Sequence, residues 1–308
     1  MRTPDLIAVG ECMVELSRKP SGDLTLAYGG DTFNTAVYAS RLGLQTAYAT
    51  ALGDDPYSQA IFDLAAGEGI GMDGVPRLAG RVPGLYAIET DAKGERRFYY
   101  WRDSAPARSL FELTGTKALI ERIEGAACVY FSGITLSLYT PAGLDRFEQV
   151  LQAARRRGAS ICFDGNFRPR GWGADHERAR QTFARFLGHV DIMLPTFDDE
   201  QVLWGDATPN DTLARLVNHG IGEIVVKDGA NGALVQTKDD VSHVPIPQSV
   251  IPVDTTAAGD SFNAGYVAGR HKGLTVGEAA LLGHRLAARV IAHRGAIIPA
   301  DAMKIETS

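Results

Sequence analysis

Asp254-Thr255-Thr256-Ala257-Ala258-Gly259-Asp260 is a loop of small residues that leads directly into a predicted helix. The helix continues through Ser261-Phe262-Asn263-Ala264-Gly265-Tyr266. Small residues let a ligand come close to the backbone, and a helix N-terminus presents free N–H groups and a partial positive charge. Such a place binds phosphate or stabilises an anion that forms there. Asp260 adds a proton acceptor, so the stretch indicates phosphoryl transfer to a hydroxyl group. The alternative is an Asp that only caps the helix.

The composition is that of an ordinary globular protein, and 308 residues are enough for a large core. A net charge of −6 argues against a general nucleic-acid binder, although a few clustered arginines still allow an anionic small substrate. Cys12, Cys128 and Cys162 show no metal or CxxC spacing, which favours free buried thiols in a reducing cytosol. Neither a signal-peptide pattern nor a membrane-length apolar run is present, so we expect a cytoplasmic protein without a membrane partner.

Short apolar runs alternate with longer amphipathic segments along the chain. Candidate strands are Leu6–Gly10, Thr46–Leu52, Cys128–Ser132, Ser160–Asp164, Ile192–Leu194 and Glu223–Lys227. Candidate helices are Thr32–Leu42, Tyr57–Glu68, Thr140–Arg157, His176–Leu187, Asp211–His219 and Val276–His293. Near-continuous apolar strands between helices predict a mostly parallel sheet covered on both faces, which is a three-layer α/β/α fold. Ligands of such sheets bind at the carboxyl ends of the strands.

Two stretches interrupt this alternation, Cys12–Tyr28 and Arg81–Arg102, and both have the pattern of β-hairpins. The second is predicted to turn at Asp91-Ala92-Lys93-Gly94. We expect the two hairpins to form a small β flap over the active site. A later β pair, Ala233–Gln236 and Val241–Pro245, is predicted to turn at residues 238–240.

Two glycine-containing segments are further candidates for ligand binding. In the segment 27–36, Gly30 would let a sugar approach the backbone, and Asn34 would offer its amide to hydroxyl groups. In the segment 226–233, two glycines follow an apolar strand and would carry a nucleotide if one binds nearby. Taken alone, the first segment is equally compatible with a tight turn before a helix, and the second with a hairpin turn.

These segments together resemble a known family. Gly29-Gly30 with Asn34, Gly43 and Gly53, followed later by the Asp254–Asp260 run, resemble the two signatures of the PfkB (ribokinase-like) carbohydrate kinases, and the order of elements agrees from Gly10 to about Pro299. Within the family, the stretches at 29–36, 99–108, 164–170 and 293–299 are most similar to 2-keto-3-deoxygluconate kinases.

The resemblance implies a single ribokinase-like kinase domain over residues 1–308, with a β lid from about 12–28 and 81–103. It also implies ATP and Mg²⁺ as the phosphoryl source and transfer to a primary hydroxyl. Asp260 matches the catalytic base, and its position at a helix N-terminus should help to keep it ionised. The backbone N–H groups of Ala257, Ala258 and Gly259 match the anion hole. Gly30 and Asn34 match sugar-binding positions, and the residues expected to contact the nucleotide are Asn166, Arg168, Lys227, Gly229, Gly232, Ala257 and Gly259.

Two positions depart from the family pattern. Ala257 stands where the family usually has Gly, and a positive φ there would cost about 1 kcal/mol, which is tolerable. The family's Asn-x-x-Glu falls on Thr196-Phe197-Asp198-Asp199, followed by Glu200. The metal-positioning residues therefore stay open, with Asp199 and Glu200 as candidates.

A carboxylated sugar needs a cation in its pocket, because a buried carboxylate without a partner is costly. The resemblance places Tyr86, Tyr100, Arg102 and Arg168 around such a substrate, and Arg168 is open to a second interpretation as a contact for ATP phosphates. Arg102 could also be a solvated surface charge, and the aromatic run Phe98–Trp101 a dimer surface; we expect a homo-oligomer. The alternative functions are a fructokinase or other neutral-sugar kinase, and a non-catalytic sugar sensor.

Overall fold

The computed structural model describes residues 3–18, 22–90, 96–173 and 175–303. The strands are β1 (Leu6–Val9), β2 (Met13–Arg18), β3 (Leu24–Gly29), β4 (Thr46–Ala49), β5 (Leu52–Gly53), β6 (Arg77–Leu78), β7 (Leu85–Thr90), β8 (Arg96–Trp101), β9 (Cys128–Ser132), β10 (Ser160–Asp164), β11 (Ile192–Met193), β12 (Glu223–Lys227), β13 (Ala233–Thr237) and β14 (Val241–Val244). The helices are α1 (Asp31–Arg41), α2 (Pro56–Gly67), α3 (Lys117–Gly125), α4 (Gly133–Leu138), α5 (Pro141–Arg156), α6 (Pro169–Trp172), α7 (His176–Leu187), α8 (Phe197–Trp204), α9 (Pro209–Val217), α10 (Ala258–His271) and α11 (Val276–Ile291).

The central sheet has the strand order β14-β13-β12-β11-β10-β9-β1-β4. Neighbouring strands from β4 to β12 pair in parallel. Strands β13 and β14, which the predicted turn at residues 238–240 connects, add an antiparallel edge. Strands β1, β4 and β9 are buried along their whole length, which explains their continuous apolar sequences. The predicted mostly parallel sheet is therefore confirmed.

Each face of this sheet has its own apolar core. Alternate residues such as Val9, Val129 and Phe163 pack on one side with the buried faces of α3, α5 and α7. The residues between them, such as Ala8 and Tyr130, pack on the other side with α1, α10 and α11. Two helical layers on opposite faces of one sheet make the α/β/α architecture that the sequence predicts.

The two predicted hairpins form a separate small sheet with the order β3-β2-β7-β8. Both hairpins are antiparallel, and they join through a parallel pairing of β2 with β7. Residues on one strand alternate between the two faces, and the register places Glu15, Tyr86 and Tyr100 on the same face. The predicted turn at Asp91–Gly94 lies outside the described residues.

Most predicted elements are present, with bounds shifted by one or two residues. The predicted strand Thr46–Leu52 is divided, because Leu52 and Gly53 leave the central sheet and pair with β6 instead. The three cysteines are free and buried, as expected. Among the helices of the described residues, none combines the length and the apolar character that a membrane-spanning segment needs.

Candidate active site

The small-residue loop enters α10 through a left-handed residue. Ala257 is the N-cap residue with φ 60° and ψ 18°, and its side chain forms no capping hydrogen bond. Asp260 is the third residue of the helix, so the interpretation of Asp260 as a helix cap is wrong. The N–H of Ala258 donates to Thr255 O at 3.2 Å, whereas the N–H groups of Ala257, Gly259 and Asp260 have no acceptor within the described residues. The free donors are those an anion would bind.

The carboxyl group of Asp260 lies in a buried polar environment. The amide of Asn34, on α1, donates from Nδ2 to Asp260 Oδ2 at 2.8 Å. Burial and, to a smaller extent, the charges of Asp31 and Asp164 raise the pKa of Asp260 to about 8, although the Asn34 hydrogen bond and the charge of Lys227 oppose the rise. The expectation that the helix N-terminus keeps Asp260 ionised is corrected here, because burial and the neighbouring carboxylates outweigh it.

A buried polar network lies behind Asp260 and joins the ends of two strands, β10 and β12, to the middle of β9. Lys227, at the end of β12, donates from Nζ to Asn263 Oδ1 at 2.8 Å and forms a 3.3 Å ion pair with Asp164, at the end of β10. Asn263 in turn donates from Nδ2 to Asp164 Oδ2 at 2.8 Å and to the hydroxyl of Tyr130 at 2.9 Å. Because these polar atoms are paired, the network is rigid and sets the position of α10 relative to the sheet.

A cavity of about 850 Å³ opens between these strand ends and the small sheet. It collects residues that lie far apart in the sequence, and most of the predicted substrate and phosphate contacts line it. The predicted residues in its wall are Gly30, Asn34, Tyr86, Tyr100, Asn166, Arg168, Lys227, Ala257, Ala258, Gly259 and Asp260. Gly229, Gly232 and Arg102 do not line this cavity and belong to two neighbouring ones.

The first neighbour is a cavity of about 640 Å³ with mainly apolar walls, including Phe262, Ala287 and Ile291. Gly229 and Gly232 line it, and Gly232 has φ 93° with the carbonyl of Val244 occupying the place of a side chain. The two cavities share three residues of the turn, Thr255, Ala258 and Gly259, as a common wall. A mainly apolar cavity that reaches free backbone donors suits a base attached to phosphates.

The structure gives a reason for a glycine at position 30 that differs from the predicted approach of a sugar to the backbone. Its φ of 175° is extended backbone that any residue adopts. A side chain there would overlap the carbonyl of Glu11, so the glycine permits close packing of β3 against the segment after β1.

Several charged groups in the cavity wall are paired with one another. Arg168 donates from Nη1 to both oxygens of Asp199, at 2.9 and 3.0 Å. Asn166, whose φ is 32°, donates from Nδ2 to Asp31 Oδ2 at 2.8 Å. Asn is among the residues that tolerate a positive φ, and here it holds a carboxylate at the cavity wall.

The two residues that the sequence left as candidates for positioning a metal ion, Asp199 and Glu200, lie in different surroundings. Asp199 lines the cavity, whereas Glu200 is fully buried and bonded to Arg215 at 2.7 Å, and burial raises its pKa to about 7. No group of three or more His, Cys, Asp or Glu side chains within the described parts of the chain is arranged to hold a metal ion. A Mg²⁺ that arrives with phosphates needs only one or two carboxylates, so the donors in the wall fit such an ion.

The second neighbour is a cavity of about 990 Å³ lined by Arg102, Arg108 and Arg170. It shares Tyr100 and Arg168 with the central cavity. Arg102 forms a buried ion pair with Glu11, and the hydroxyl of Tyr86 donates to Glu15. The predicted carboxylate-binding side chains therefore have internal partners.

The comparison with protein families decides the assignment. The model of the family described as pfkB family carbohydrate kinase matches residues 3–303. The chain belongs to this family. It is therefore a carbohydrate kinase, and the predicted resemblance is confirmed.

Two proteins with similar sequences are named as sugar-acid kinases, which agrees with the family assignment. The chain is 42% identical over 306 residues to the 2-dehydro-3-deoxygluconokinase of Escherichia coli strain K12, with 97% of this chain and 98% of that protein covered. It is also 42% identical to the enzyme of the same name from Dickeya dadantii, with 98% and 99% covered.

Among solved structures, a ribokinase II of E. coli matches with a TM-score of 0.85 at 21% identity, covering 97% of this chain and 96% of that chain. A second structure of that kinase, described as a complex with ATP and Mg²⁺, has a TM-score of 0.83, with the same identity and coverage. At this level of identity the likeness concerns the fold.

Sequence reasoning missed four polar residues of this region: Glu11, Asp31, Asp164 and Asn263. Asp164 had a usable signal, because it ends an apolar strand at the edge where ligands bind. Asn263 lies one helical turn after Asp260 on the buried side of α10, and nothing in the sequence alone shows that this side faces polar groups.

Proposed function

We propose that this kinase phosphorylates 2-keto-3-deoxygluconate, or 2-dehydro-3-deoxygluconate in the systematic name, at its primary hydroxyl with ATP, giving 2-keto-3-deoxy-6-phosphogluconate. The observation that carries the proposal is the position of Asp260, which lines the polar cavity and directly follows Ala258 and Gly259, two residues that line both cavities. A base between two ligand pockets is the arrangement that transfer from one ligand to the other requires. The 42% identity to two 2-dehydro-3-deoxygluconokinases supports the choice of sugar.

ATP fits the apolar cavity with its base between Phe262 and the Gly229–Gly232 loop, and with its phosphates toward the free N–H groups of Ala257, Gly259 and Asp260. Lys227 lines both cavities and adds a positive charge at their junction. Mg²⁺ bound with ATP would neutralise phosphate charge, and Asp199 and Asp164 are carboxylates able to hold it or its water ligands.

Asp260 accepts the proton of the sugar's primary hydroxyl as that oxygen forms its bond to the transferred phosphoryl group. Asn34 holds Oδ2, which leaves Oδ1 for the proton. The backbone amides stabilise charge on the phosphoryl oxygens, and the small sheet excludes water that would otherwise accept the group. A pKa near 8 makes Asp260 a stronger base than an ordinary carboxylate.

The acid end of the sugar lies toward the arginines in this proposal. Arg168, Tyr86 and Tyr100 line the central cavity, and Arg102 lies just beyond Tyr100 in the adjoining one. A neutral sugar would not use these charges, which disfavours a fructokinase. A non-catalytic sensor is disfavoured because the base, the free amides and both cavities are all present.

We also propose that the chain forms a homo-oligomer through the outer face of the small sheet. The strand register places Leu26, Tyr99 and Trp101 on the face opposite to Tyr86 and Tyr100. Leu26, Tyr99 and Trp101 are 47%, 43% and 62% exposed. A cluster of large apolar side chains in water favours burial against a second copy, which light scattering coupled to size exclusion would measure.

The test is an ATP-consumption assay with Mg²⁺ across 2-keto-3-deoxygluconate, 2-ketogluconate, fructose, ribose and adenosine. The proposal predicts the highest kcat/KM for 2-keto-3-deoxygluconate. A preference for fructose would retain the kinase and reject the acid sugar, whereas sugar binding without any turnover would support the sensor.

A further inference from the structure

A buried ion pair lies at the base of the small sheet, beside the proposed sugar site. Glu11 follows β1, and Arg102 follows β8 and donates from Nη2 to Glu11 Oε2. Their side chains are 2% and 16% exposed, respectively. Arg102 has a role in the proposed function, but Glu11 has none there.

The surroundings hold this pair in one place. Glu11 Oε1 and Arg102 Nε are both buried, and neither has a hydrogen-bond partner among the residues that the structure describes. A Cβ at Gly84 would lie 2.5 Å from Glu11 Oε1 and 3.0 Å from Arg102 Cβ, so the absence of a side chain at Gly84 makes room for the pair. Close packing therefore leaves Glu11 little freedom to turn away from Arg102.

A second arginine compensates the negative charge. Arg108 lies close enough to lower the pKa of Glu11, as Arg102 also does, although burial raises it by more. Both arginines line the 990 Å³ cavity together with Glu11. Asp31 adds a second negative charge near Glu11. The wall of the cavity as a whole is still net positive, because five arginines line it together with three carboxylates, and this suits an incoming anion.

The energetics favour an Arg102 that stays on Glu11 when the sugar binds. Releasing it would leave a buried carboxylate without a partner, which is strongly destabilising. An arginine that is already fixed loses less side-chain freedom when it binds a carboxylate than a mobile one does. We infer that Glu11 is a positioning residue that holds Arg102 in place for the carboxylate of the acid sugar and so contributes to the preference for acid over neutral sugars. This inference rests on the proposed function.

A double-mutant cycle tests the inference, with kinetics of the wild type, Glu11→Gln, Arg102→Ala and the double variant on 2-keto-3-deoxygluconate. Gln keeps the size of Glu11 but removes the charge that fixes Arg102. We expect Glu11→Gln to raise KM by roughly tenfold while kcat changes by less than about twofold. In the Arg102→Ala background, Glu11→Gln should change kcat/KM by less than about twofold, because Arg102 carries its effect.

A second variant and a control separate positioning from structural damage. Gly84→Ala keeps the charge of Glu11 but displaces its carboxylate, so we expect KM to rise in the same direction and the effect again to vanish without Arg102. The control is Glu68→Gln, which removes the carboxylate of another partly buried ion pair, formed by Glu68 and Arg41. Glu68 is 16% exposed and Arg41 is 11% exposed, and neither residue lines any of the three cavities. The control variant should leave KM for the sugar unchanged.

Two results would overturn the positioning role of Glu11 without affecting the proposed function. One is an unchanged or lower KM in Glu11→Gln, and the other is an equal effect with and without Arg102. If Glu11→Gln does not fold, the same cycle with Gly84→Ala decides. A wild type without activity on any acid sugar would instead refute the proposed function, and the inference with it.

Discussion

Asn34 and Asp260, 226 residues apart in the sequence, share a buried hydrogen bond of 2.8 Å from Nδ2 to Oδ2. The bond connects the start of α1, which follows the small sheet, to the first turn of α10, which carries the free backbone donors. Asn34 thus orients the proposed base and also opposes the rise in its pKa.

Replacing Asp260 by Asn should lower kcat by roughly two to four orders of magnitude, because Asn has the same shape but cannot take the proton. The measurement is turnover with saturating ATP and 2-keto-3-deoxygluconate. Unchanged binding of both substrates would show that the site is intact. Near-normal turnover in the variant would remove Asp260 from the role of base.

The activity should rise with pH across the neutral range. The proposed base Asp260 would act only when deprotonated, and its pKa is about 8, so kcat/KM should increase about tenfold per pH unit below that value and level off above it. Asn34→Ala removes a hydrogen bond that lowers this pKa, so the inflection should move to higher pH. An inflection below about pH 6, or one that Asn34→Ala leaves in place, would contradict the assigned environment of Asp260.

Asp260→Asn should also make the protein more stable, increasingly so at higher pH. The folded pKa of about 8 lies above the unfolded value of ~3.9, so the folded state keeps a proton that the unfolded chain releases. Wild-type stability is therefore full below pH ~4 and is lost as the pH rises toward 8, and the variant has no such loss. We expect its Tm advantage to grow to a few degrees at pH 8. A Tm advantage that becomes smaller as the pH rises would contradict a buried Asp260 with a raised pKa.

Substitutions of Ala257 test whether the anion site is made of backbone groups. Its φ of 60° is a conformation that glycine adopts freely and a β-branched residue adopts poorly. Ala257→Gly should keep kcat within about threefold of wild type, since the N–H donors stay in place, whereas Ala257→Val should lose stability by about 1 kcal/mol or more and lose activity. Equal activity of the two variants would argue against a strict backbone geometry at this turn.

Arg102→Ala should impair acid sugars far more than neutral ones. Loss of charge-assisted hydrogen bonds predicts a roughly 10- to 100-fold lower kcat/KM for 2-keto-3-deoxygluconate and little change for fructose. Arg122→Ala is a matched control, because Arg122 is also 16% exposed and paired with an Asp but does not line the three cavities. The same loss for both sugars would refute the carboxylate argument.

The fold could be predicted because its buried strands carry a strong local signal. Cys128–Ser132 is an apolar run that is buried at every position, and the helices beside it show clear amphipathic spacing. Helices α3, α4, α6 and α8 were not predicted. The first turn of α8 holds three acidic residues and only two positions of the helix are buried, so its pattern is weak.

The site could be predicted only in part, because its chemistry depends on distant partners. The glycine-containing loops are local and were found from the sequence, and most of the predicted residues line one cavity. The pairing of Arg102 with Glu11, 91 residues away, is set by how the small sheet packs on the end of β1. The raised pKa of Asp260 depends on burial and on Asp31 and Asp164, which no single segment of sequence shows.

We propose that this kinase transfers a phosphoryl group from ATP to the primary hydroxyl of an acid sugar. The most direct measurement is phosphorus NMR of the product formed from Mg-ATP and 2-keto-3-deoxygluconate. We predict one new monoester resonance coupled to the two protons of a CH₂ group, formed by the wild type and formed at least about 100-fold more slowly by Asp260→Asn. No new monoester, or an ester on a secondary carbon, would contradict the claim.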